Sequence, residues 1–466
     1  MNSFPTRRDA IRTVSTGFGG LAFASLAAQL ARAESAKNPL ASKSPNFEAR
    51  AKNVIFMNMG GAPSHVDTFD YKPKLQADSG KAGKYGGKGG RGSKLLGSPW
   101  EFKQHGQSGL WISELFPNLA QEADELCLLR GMHCDAPNHN EATTQTHTGS
   151  FQFVRPSMGA WTLYGLGTDN TDLPGFVVLN AGNAVNNYAS AFLPAYYQGT
   201  IVGREQGGQL SGGSSMDESP EVDNIKNASQ SPEAQRTQLD LIQALNRNKL
   251  KREGHQPQVE GMIQSFELAY RMQSTMPAVV DLSRESTAMK EAYGIGNSQT
   301  DSFGRQCLLA RRMVENGVRY VEISSGGWDH HNNLKAEMED HCAQIDQPIA
   351  TLINDLRQRD LLKDTLIIWA GEFGRTPHGE GGDGRDHNNK GYTTWMAGGG
   401  VKGGFSYGNT DEHGYEAVEG RMHIHDWHAT ILHLLGLDHE KLTYRYAGRD
   451  FRLTDVGGSV AKDILA

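Results

Sequence analysis

The stretch of sequence that decides the fold is residues 318–369, VRYVEISSGGWDHHNNLKAEMEDHCAQIDQPIATLINDLRQRDLLKDTLIIW. It opens with a β-rich run, residues 318–323, and closes with a short apolar run, residues 366–369. Between these runs, apolar residues recur at helical spacing over 334–356, which predicts a helix of about six turns. A strand, a long helix and a second strand form a crossover unit. We therefore expect the two strands to be parallel neighbours in one sheet.

Other segments extend this pattern on both sides. Three more apolar runs predict strands at 54–57, 126–129 and 176–179. Helices are predicted over residues 303–316 and 426–435. A Gly/Ser/Asp-rich loop followed by polar helical sequence predicts a loop and helical insertion at 203–300. Together the elements predict an α/β fold, with a central and mostly parallel sheet between helices.

Composition excludes several classes of protein. The chain has 466 residues, 55 of them glycine, a hydrophobic fraction of 37% and a net charge of −7. This composition is unlike that of a collagen, a coiled coil or a polytopic membrane protein, and it suffices for a buried core. The acidic balance argues against a nucleic-acid partner. No uninterrupted apolar run reaches 18 residues, so we expect no stable membrane anchor.

The N-terminal segment has the features of an export signal. The pair Arg7-Arg8 precedes a weakly apolar run, residues 13–31, which ends at Ala31-Arg32-Ala33. This order predicts a twin-arginine signal peptide at 1–33, with the twin-arginine translocase as a partner and a periplasmic or extracellular location. The remaining predicted boundaries are a linker at 34–50, a domain at 51–456 and a C-terminal tail at 457–466.

The four cysteines leave two alternatives open. In an oxidising compartment they could form disulfides, with three possible connectivities. Each of them also lies in or beside an apolar run, which favours buried free thiols. They are Cys127, Cys134, Cys307 and Cys342.

Polar clusters follow directly after the predicted strands. The strand at 318–323 leads into Asp329-His330-His331, and the strand at 366–369 leads into Glu372. In a parallel sheet such loops emerge at one edge, where open α/β sheets bind ligands. Mixed carboxylate and imidazole ligands suit Zn²⁺, Mn²⁺ or Fe. The sequence therefore predicts a metal site at this edge.

At these motifs the sequence resembles a known family, the twin-arginine-exported domain of unknown function 1501, which is abundant in planctomycete-type bacteria. The resemblance covers nearly all of the mature chain. The matching pieces are Gly60 to Asp70, Asn138-His139 with His147-Thr148-Gly149, Phe303 to Arg312, Gly327 to His331, Gly371 to Pro377, Gly384 to His387, and Asp426 to Leu432. The family is similar to a branch of the alkaline phosphatase superfamily, which includes sulfatases and cofactor-independent phosphoglycerate mutases. The resemblance implies an alkaline phosphatase-like fold.

The resemblance also implies a site with one or two divalent metal ions, Zn²⁺ or Mn²⁺. Asp329 and His331 resemble the Asp and His of one metal site, and His387 resembles the late His ligand. Glu372 stands where the superfamily usually has Asp. The first strand ends in Asn58-Met59-Gly60, without the usual Asp, so that Asp67 or Asp70 would substitute for it.

The resemblance places His139 where the superfamily keeps its attacking hydroxyl. His139 would act as the nucleophile or as a metal ligand. Thr143 and Thr144 are nearby hydroxyls that could replace it. Arg375 or Arg385 would clamp the anion of the substrate.

The leading function is hydrolysis of a phosphate or sulfate ester, on a small molecule or a polysaccharide. Cys134 is followed by Asp135-Ala136-Pro137, so the formylglycine signature of ordinary sulfatases is absent. Two alternatives stay open: a non-catalytic secreted binding protein on the same fold, and a phosphoryl-transfer enzyme similar to the mutases.

Overall fold

The computed structural model describes residues 38–84, 93–181, 185–204, 225, 230–254, 256–380 and 383–466. The predicted signal peptide, residues 1–33, and the first part of the predicted linker, residues 34–37, lie outside the described residues. So do residues 205–224, 226–229 and 255 of the predicted insertion.

Strands and α-helices are numbered in chain order over the described residues. The strands are β1 (Asn53–Met59), β2 (Phe102–His105), β3 (Leu110–Ser113), β4 (Leu126–His133), β5 (Phe176–Ala181), β6 (Thr200–Arg204), β7 (Tyr320–Ser325), β8 (Thr365–Ala370), β9 (Gly374–Glu380), β10 (Gly384–Asn388), β11 (Tyr392–Ala397), β12 (Phe405–Tyr407), β13 (Asn409–Thr410), β14 (Ala417–Glu419), β15 (Met422–His423), β16 (Tyr444–Tyr446) and β17 (Arg449–Phe451). The helices are α1 (His65–Thr68), α2 (Pro73–Ala77), α3 (His139–Thr148), α4 (Met158–Leu166), α5 (Pro232–Glu253), α6 (Pro257–Val280), α7 (Thr287–Ala292), α8 (Asp301–Glu315), α9 (Leu334–Gln358) and α10 (Ile424–Leu434).

Nine strands form the central sheet, in the order β12-β4-β11-β8-β1-β7-β5-β6, with β15 also paired to β4. β1 is parallel to both of its neighbours: Val54 pairs with Tyr320 of β7 and with Leu366 of β8. β11 runs antiparallel to β4 and to β8. The predicted α/β class with a mostly parallel central sheet is confirmed.

The crossover unit differs from the prediction in one respect. β7 and β8 are parallel, as expected, but they are not neighbours because β1 lies between them. Val54, Ile55, Phe56 and Met57 of β1 are all fully buried. A strand that is apolar on both faces is covered best at the centre of a parallel sheet, so β1 takes the position between β7 and β8.

Helices cover both faces of the sheet. On one face, Cys342, Ile349 and Leu356 of α9 belong to the same buried cluster as Ile55 and Met57. The alternating residues of β1 point to the opposite cluster, which contains Trp161 of α4 and Trp427 of α10. The sheet is therefore sandwiched between helices.

The segments around the domain also pack against it. In the predicted linker, the N–H of Arg50 donates to the carbonyl of Leu434 at 2.8 Å, so its described part, 38–50, is not a free chain. In the predicted tail, the carbonyl of Ile464 accepts from the N–H of Lys402 at 2.8 Å. Within the predicted insertion, α5 and α6 are joined by an ion pair between Arg236 and Glu267, with an N–O distance of 2.9 Å.

The four cysteines are buried and unpaired, which decides between the two alternatives left by the sequence. No helix among the described residues is long and apolar enough to cross a membrane.

Candidate metal centre

Three parallel strands deliver side chains to one edge of the sheet. β7 is followed by Asp329 and His331, and β8 is followed by Glu372. The loop after β1 approaches them closely: a Cβ atom at Gly61 would lie 2.7 Å from the backbone N of Asp329. The φ angle of Gly61 is +107°, a conformation that favours glycine. α3 begins at His139, shortly after β4 ends.

Four side chains converge there. His139, Asp329, His331 and His387 each offer one ligand atom, and these atoms all lie within 4.8 Å of one another. Oδ1 of Asp329 is 3.0 Å from Nε2 of His139 and 2.9 Å from Nε2 of His331. Nε2 of His387 lies 3.3 Å from the same oxygen and 3.0 Å from Nε2 of His331. We call these four residues the metal centre.

The three histidines of the metal centre share a second feature. In each of them, Nδ1 lies within hydrogen-bonding distance of a group that accepts, so Nδ1 carries the proton and Nε2 keeps its lone pair. The pairs are His139 with Oε1 of Glu372 at 2.5 Å, His331 with Oε2 of Glu380 at 2.5 Å, and His387 with the carbonyl of Pro137 at 3.0 Å. This arrangement is typical of histidines that bind metals through Nε2.

The donor set fits a divalent metal ion. Nε2 of His139 is buried and lies 3.0 Å from Oδ1 of Asp329, so that two atoms able to donate an electron pair to a metal ion face each other there. Three imidazole nitrogens and one carboxylate oxygen are the ligands that Zn²⁺ takes in proteins. The side chain of Asp329 is 44% exposed, which leaves one side of the centre open to solvent.

Glu372 lies behind His139 rather than among the ligand atoms. It is buried, and its Oε1 accepts a hydrogen bond from the N–H of Gly61 at 3.1 Å. The ring of Phe373 packs against the rings of His139 and His387, with centroid distances of 4.9 and 4.8 Å. These contacts fix the positions of the two imidazoles.

Arg375 is fully buried and holds Asp329. Its Nη2 lies 2.6 Å from Oδ1 of Asp329, and its Nε donates to the carbonyl of Ala62 at 3.0 Å. Burial opposes ionisation of Asp329, but the hydrogen bond and charge of Arg375, with a further contribution from His139, hold the pKa of this carboxyl well below its usual range. Asp329 is therefore a carboxylate whose position depends on Arg375.

Arg385 and Asp67 are paired with each other. Both side chains are fully buried, and Nε and Nη2 of Arg385 lie 2.6 and 3.0 Å from the two carboxylate oxygens of Asp67. Ser64 donates to Asp67 Oδ2 at 2.5 Å. The structure thus places these two predicted site residues in a buried pair, outside the metal centre. Asp70, the other candidate, is buried at 3.1 Å from Nζ of Lys72.

Sequence reasoning missed Glu380 as a site residue. Glu380 and Asp386 form a second group of possible ligands with His331, within 4.8 Å of one another. β9 and β10 pair with Gly384 opposite Glu380, which brings these acids together. The signal in the sequence is a Gly-rich stretch, residues 381–384, with acidic residues in and around it, located between two motifs that carry predicted ligands.

A family model described as a protein of unknown function, DUF1501, matches residues 51–465. The chain belongs to the DUF1501 family. No curated protein matches its sequence.

Solved structures show distant similarity to this DUF1501 chain. A sulfatase from Pseudoalteromonas is 14% identical, with 84% of this chain and 69% of the sulfatase covered and a TM-score of 0.37. The lipoteichoic acid synthase LtaP from Listeria monocytogenes is 10% identical over 90% of this chain and 79% of its own, with a TM-score of 0.35. An alkaline phosphatase from the Antarctic bacterium TAB5 is 10% identical over 75% and 92%, with a TM-score of 0.29. These similarities are too distant to assign the role of any residue.

Within the metal centre of this DUF1501 chain, the pKa values of His387 and His139 shift in opposite directions. Burial lowers the pKa of His387, and the charges of Arg375 and His139 lower it further. Burial also acts to lower the pKa of His139, but the hydrogen bond and charge of Glu372, together with Asp329, raise it overall. His387 is therefore neutral near pH 7, while His139 is held by carboxylates on both ring nitrogens.

Proposed function

We propose that this protein is an exported, metal-dependent hydrolase of phosphate or sulfate esters. The observation that carries the proposal is the arrangement of the three histidines. Their Nδ1 atoms are held by Glu372, by Glu380 and by a backbone carbonyl, while their Nε2 atoms converge on Oδ1 of Asp329. Partly buried imidazoles with this orientation match a metal site.

The metal centre would hold one Zn²⁺ or Mn²⁺ ion through His139, Asp329, His331 and His387. When bound, such an ion supplies Lewis-acid chemistry at the ester oxygen. The chain itself does the positioning: Glu372 keeps the proton on Nδ1 of His139, and Arg375 fixes the carboxylate of Asp329. The exposed side of Asp329 gives a substrate access.

Among the described residues, the predicted anion clamps are both engaged. Arg375 is paired with Asp329 and Arg385 with Asp67. The beginning of α3 offers another source of positive potential, because the first N–H groups of a helix have no intrahelical acceptor and favour anions. Asn138 caps this helix by accepting from the N–H of Glu141. We therefore assign anion binding to the metal centre and the start of α3.

His139 fits the role of a ligand better than that of a nucleophile. Nδ1 of His139 is 2.5 Å from Glu372, and its buried Nε2 is 3.0 Å from Asp329 in the ligand cluster. An attacking imidazole needs a free nitrogen that faces the substrate. Both nitrogens of His139 face protein groups.

The test is metal analysis of the exported protein, followed by a screen of aryl phosphate and aryl sulfate esters. We expect about one metal ion per chain in the wild type, and loss of both metal and turnover in Asp329→Ala, His331→Ala and His139→Ala. His439→Ala is the matched control, because its Nδ1 bonds to Thr454 outside the centre.

Thr144→Ala distinguishes the alternatives for the nucleophile. If Thr144 supplies the attacking hydroxyl, this variant keeps its metal and loses turnover. If His139 is the nucleophile, His139→Ala keeps its metal as well. A wild-type chain that is exported without metal, and that turns over no ester when metal is added, would refute the proposed function.

A further inference from the structure

Helix α3 has almost no apolar surface to hold it in place. Of its ten residues, from His139 to Thr148, Ala142 is the only apolar one. Helices of globular proteins are usually positioned by an apolar stripe that is buried against the core. α3 also carries a member of the metal centre, His139, at its first position. The location of that imidazole therefore depends on the polar contacts of the helix.

One of these contacts is an ion pair in the interior, between His147 near the end of α3 and Glu322 in β7. Nε2 of His147 lies 3.1 Å from Oε1 of Glu322, and both side chains are buried. The ring of His147 also packs edge-on against Phe56 of β1, with a centroid distance of 5.3 Å. Within the described residues, the pair makes the only hydrogen bond between α3 and β7. It fastens the helix to the middle of the sheet.

The hydrogen bonds of His147 require that it carries two protons. Nδ1 donates to the carbonyl of Thr143 at 2.8 Å, so Nε2 needs a proton of its own to donate to the carboxylate of Glu322. Burial acts to lower the pKa of His147, but the charge and hydrogen bond of Glu322 raise it overall. Glu322 has no other ion-pair partner among the described residues. Because an unpaired charge in the interior is costly, the two side chains are held together.

The two partners belong to the two elements that supply three of the four members of the metal centre. The chain that leaves β7 after Glu322 leads to Asp329 and His331, and α3 begins with His139. At a rise of about 1.5 Å per residue, His139 and His147 are about 12 Å apart along the helix. A displacement of His147 from Glu322 would therefore move His139 relative to the other two ligands.

Two histidines of α10 hold the same end of α3 by its backbone. Nε2 of His428 lies 2.7 Å from the carbonyl of Thr146, and Nε2 of His425 lies 2.7 Å from the carbonyl of Gly149. These contacts occupy carbonyl groups that have no partner within the helix. They attach α3 to α10 and not to the strand that leads to the other ligands. The contact that sets α3 against β7 is the one made by His147.

We propose that the pair of His147 and Glu322 positions the metal centre, by holding α3 on β7 at the place where His139 meets Asp329. This inference rests on the proposed function, because it gives the pair a role in metal binding. Nε2 of His139 lies 3.0 Å from Oδ1 of Asp329, and the two atoms would bind the same ion. His147 and Glu322 are positioning residues, since neither belongs to the ligand cluster and both act through the placement of His139.

Glu322→Leu is the decisive variant. Leucine suits a buried position in a strand, and His147 can lose its proton, so no uncompensated charge is left in the interior. We expect the metal affinity, measured by competition with a chromophoric chelator, to fall about tenfold, as it does when a group that orients a ligand is removed. Glu322→Gln should keep most of the affinity, because its amide can donate to the neutral imidazole of His147.

The matched control is Asp355→Leu. It makes the same change to a buried carboxylate of α9, whose Oδ2 lies 3.1 Å from Nε of Arg311. This variant should lose stability to urea and keep the metal affinity of the wild type. A purely structural role for Glu322 would make the two variants behave alike.

Hydrogen exchange of the metal-free chain supplies a second measurement. Amides of 139–148 should exchange faster in Glu322→Leu than in the wild type, because local opening of α3 becomes easier. Amides of 320–325 should be unchanged, since β7 stays paired on both sides with β1 and β5. In Asp355→Leu neither segment should exchange faster.

Three results would overturn the inference. The first is equal metal affinity in the wild type and Glu322→Leu, and the second is an equal loss of affinity in Asp355→Leu. The third is faster exchange of 320–325 with no change in 139–148, which would indicate that the strand and not the helix is disturbed. A wild type that binds no metal would refute the proposed function instead. The exchange measurement needs no metal, so it would still decide whether the pair anchors α3.

Discussion

Nδ1 of His139 lies 2.5 Å from Oε1 of Glu372, although the two residues are 233 positions apart in the chain. His139 opens α3 and Glu372 follows β8, so this contact joins the helix to the sheet at the metal centre. The carboxylate fixes which ring nitrogen carries the proton. If His139 binds a metal ion as we propose, its affinity for the ion would depend on a residue outside the ligand set.

Glu372→Gln tests this dependence. The amide keeps the size of the side chain but is a weaker acceptor for Nδ1–H, so we expect metal affinity to fall about 10- to 100-fold. Competition with a chromophoric chelator measures the change. Glu339→Gln is the control, since that carboxylate accepts from Trp100 away from the centre. Unchanged affinity in Glu372→Gln would contradict the assignment.

Asp67→Asn tests the buried pair with Arg385. Removing one charge leaves the other buried and unpaired, which costs about 3–5 kcal/mol of unfolding free energy. Urea unfolding measures the loss, and the folded fraction should keep its metal content. In Asp67→Asn/Arg385→Met both charges are gone, and stability should partly return. Loss of metal without loss of stability would instead make Asp67 a ligand.

The pH dependence of stability should depend on His428. Burial lowers its pKa to about 3, and its Nε2 lies 2.7 Å from the carbonyl of Thr146. The unfolded chain takes up a proton below about pH 6.5, whereas the folded chain does not, so stability falls as the pH falls from 6.5 towards 3. One such group contributes a slope of about 1.4 kcal/mol per pH unit.

Urea midpoints of metal-free protein between pH 4.5 and pH 7 would show this slope, at about half-unit steps. His428→Gln should be less stable at pH 7 but should have a shallower pH dependence than the wild type. Identical slopes would show that other groups control the acid sensitivity. His133, whose pKa is lowered to about 4 by burial and by the charges of His423 and Arg421, is the next to test.

Export stays a sequence prediction, because Arg7 and Arg8 lie outside the described residues. Changing both to lysine should retain the precursor in the cytoplasm, since the translocase recognises the paired guanidinium groups. Cell fractionation measures the outcome, with Arg12→Lys as the control. Normal export of the double variant would mean that the segment is not a twin-arginine signal.

The sequence predicts the gathering of side chains at one sheet edge, because apolar runs followed at once by Asp, His or Glu mark the carboxyl ends of strands. Asp329 and His331 follow β7 in this way. An apolar run followed by polar residues does not show which of those polar side chains face the metal centre and which pair with one another. Asp67 and Arg385 look like site residues in the sequence, yet they neutralise each other in the interior.

The order of the strands is another feature that local pattern leaves open. Helix α9 predicts a parallel pair, but nothing within residues 318–369 indicates that a strand from the start of the chain enters between β7 and β8. Glu380 was missed for a similar reason. Its partner, His331, is 49 residues away, and their contact depends on the pairing of β9 with β10.

The four cysteine thiols are shielded from reagents while the chain is folded. Burial raises the pKa of Cys127 and Cys134 to about 12, and raises that of Cys307 and Cys342 well above the usual range. In the folded chain we therefore expect these four thiols to react slowly with oxidants and alkylating reagents, which attack the thiolate. The rate at which each thiol reacts therefore reports how often the structure around it opens. Sγ of Cys134 lies 3.4 Å from the carbonyl of Glu372. The alkylation rate of Cys134 would therefore measure how often the structure beside the metal centre opens.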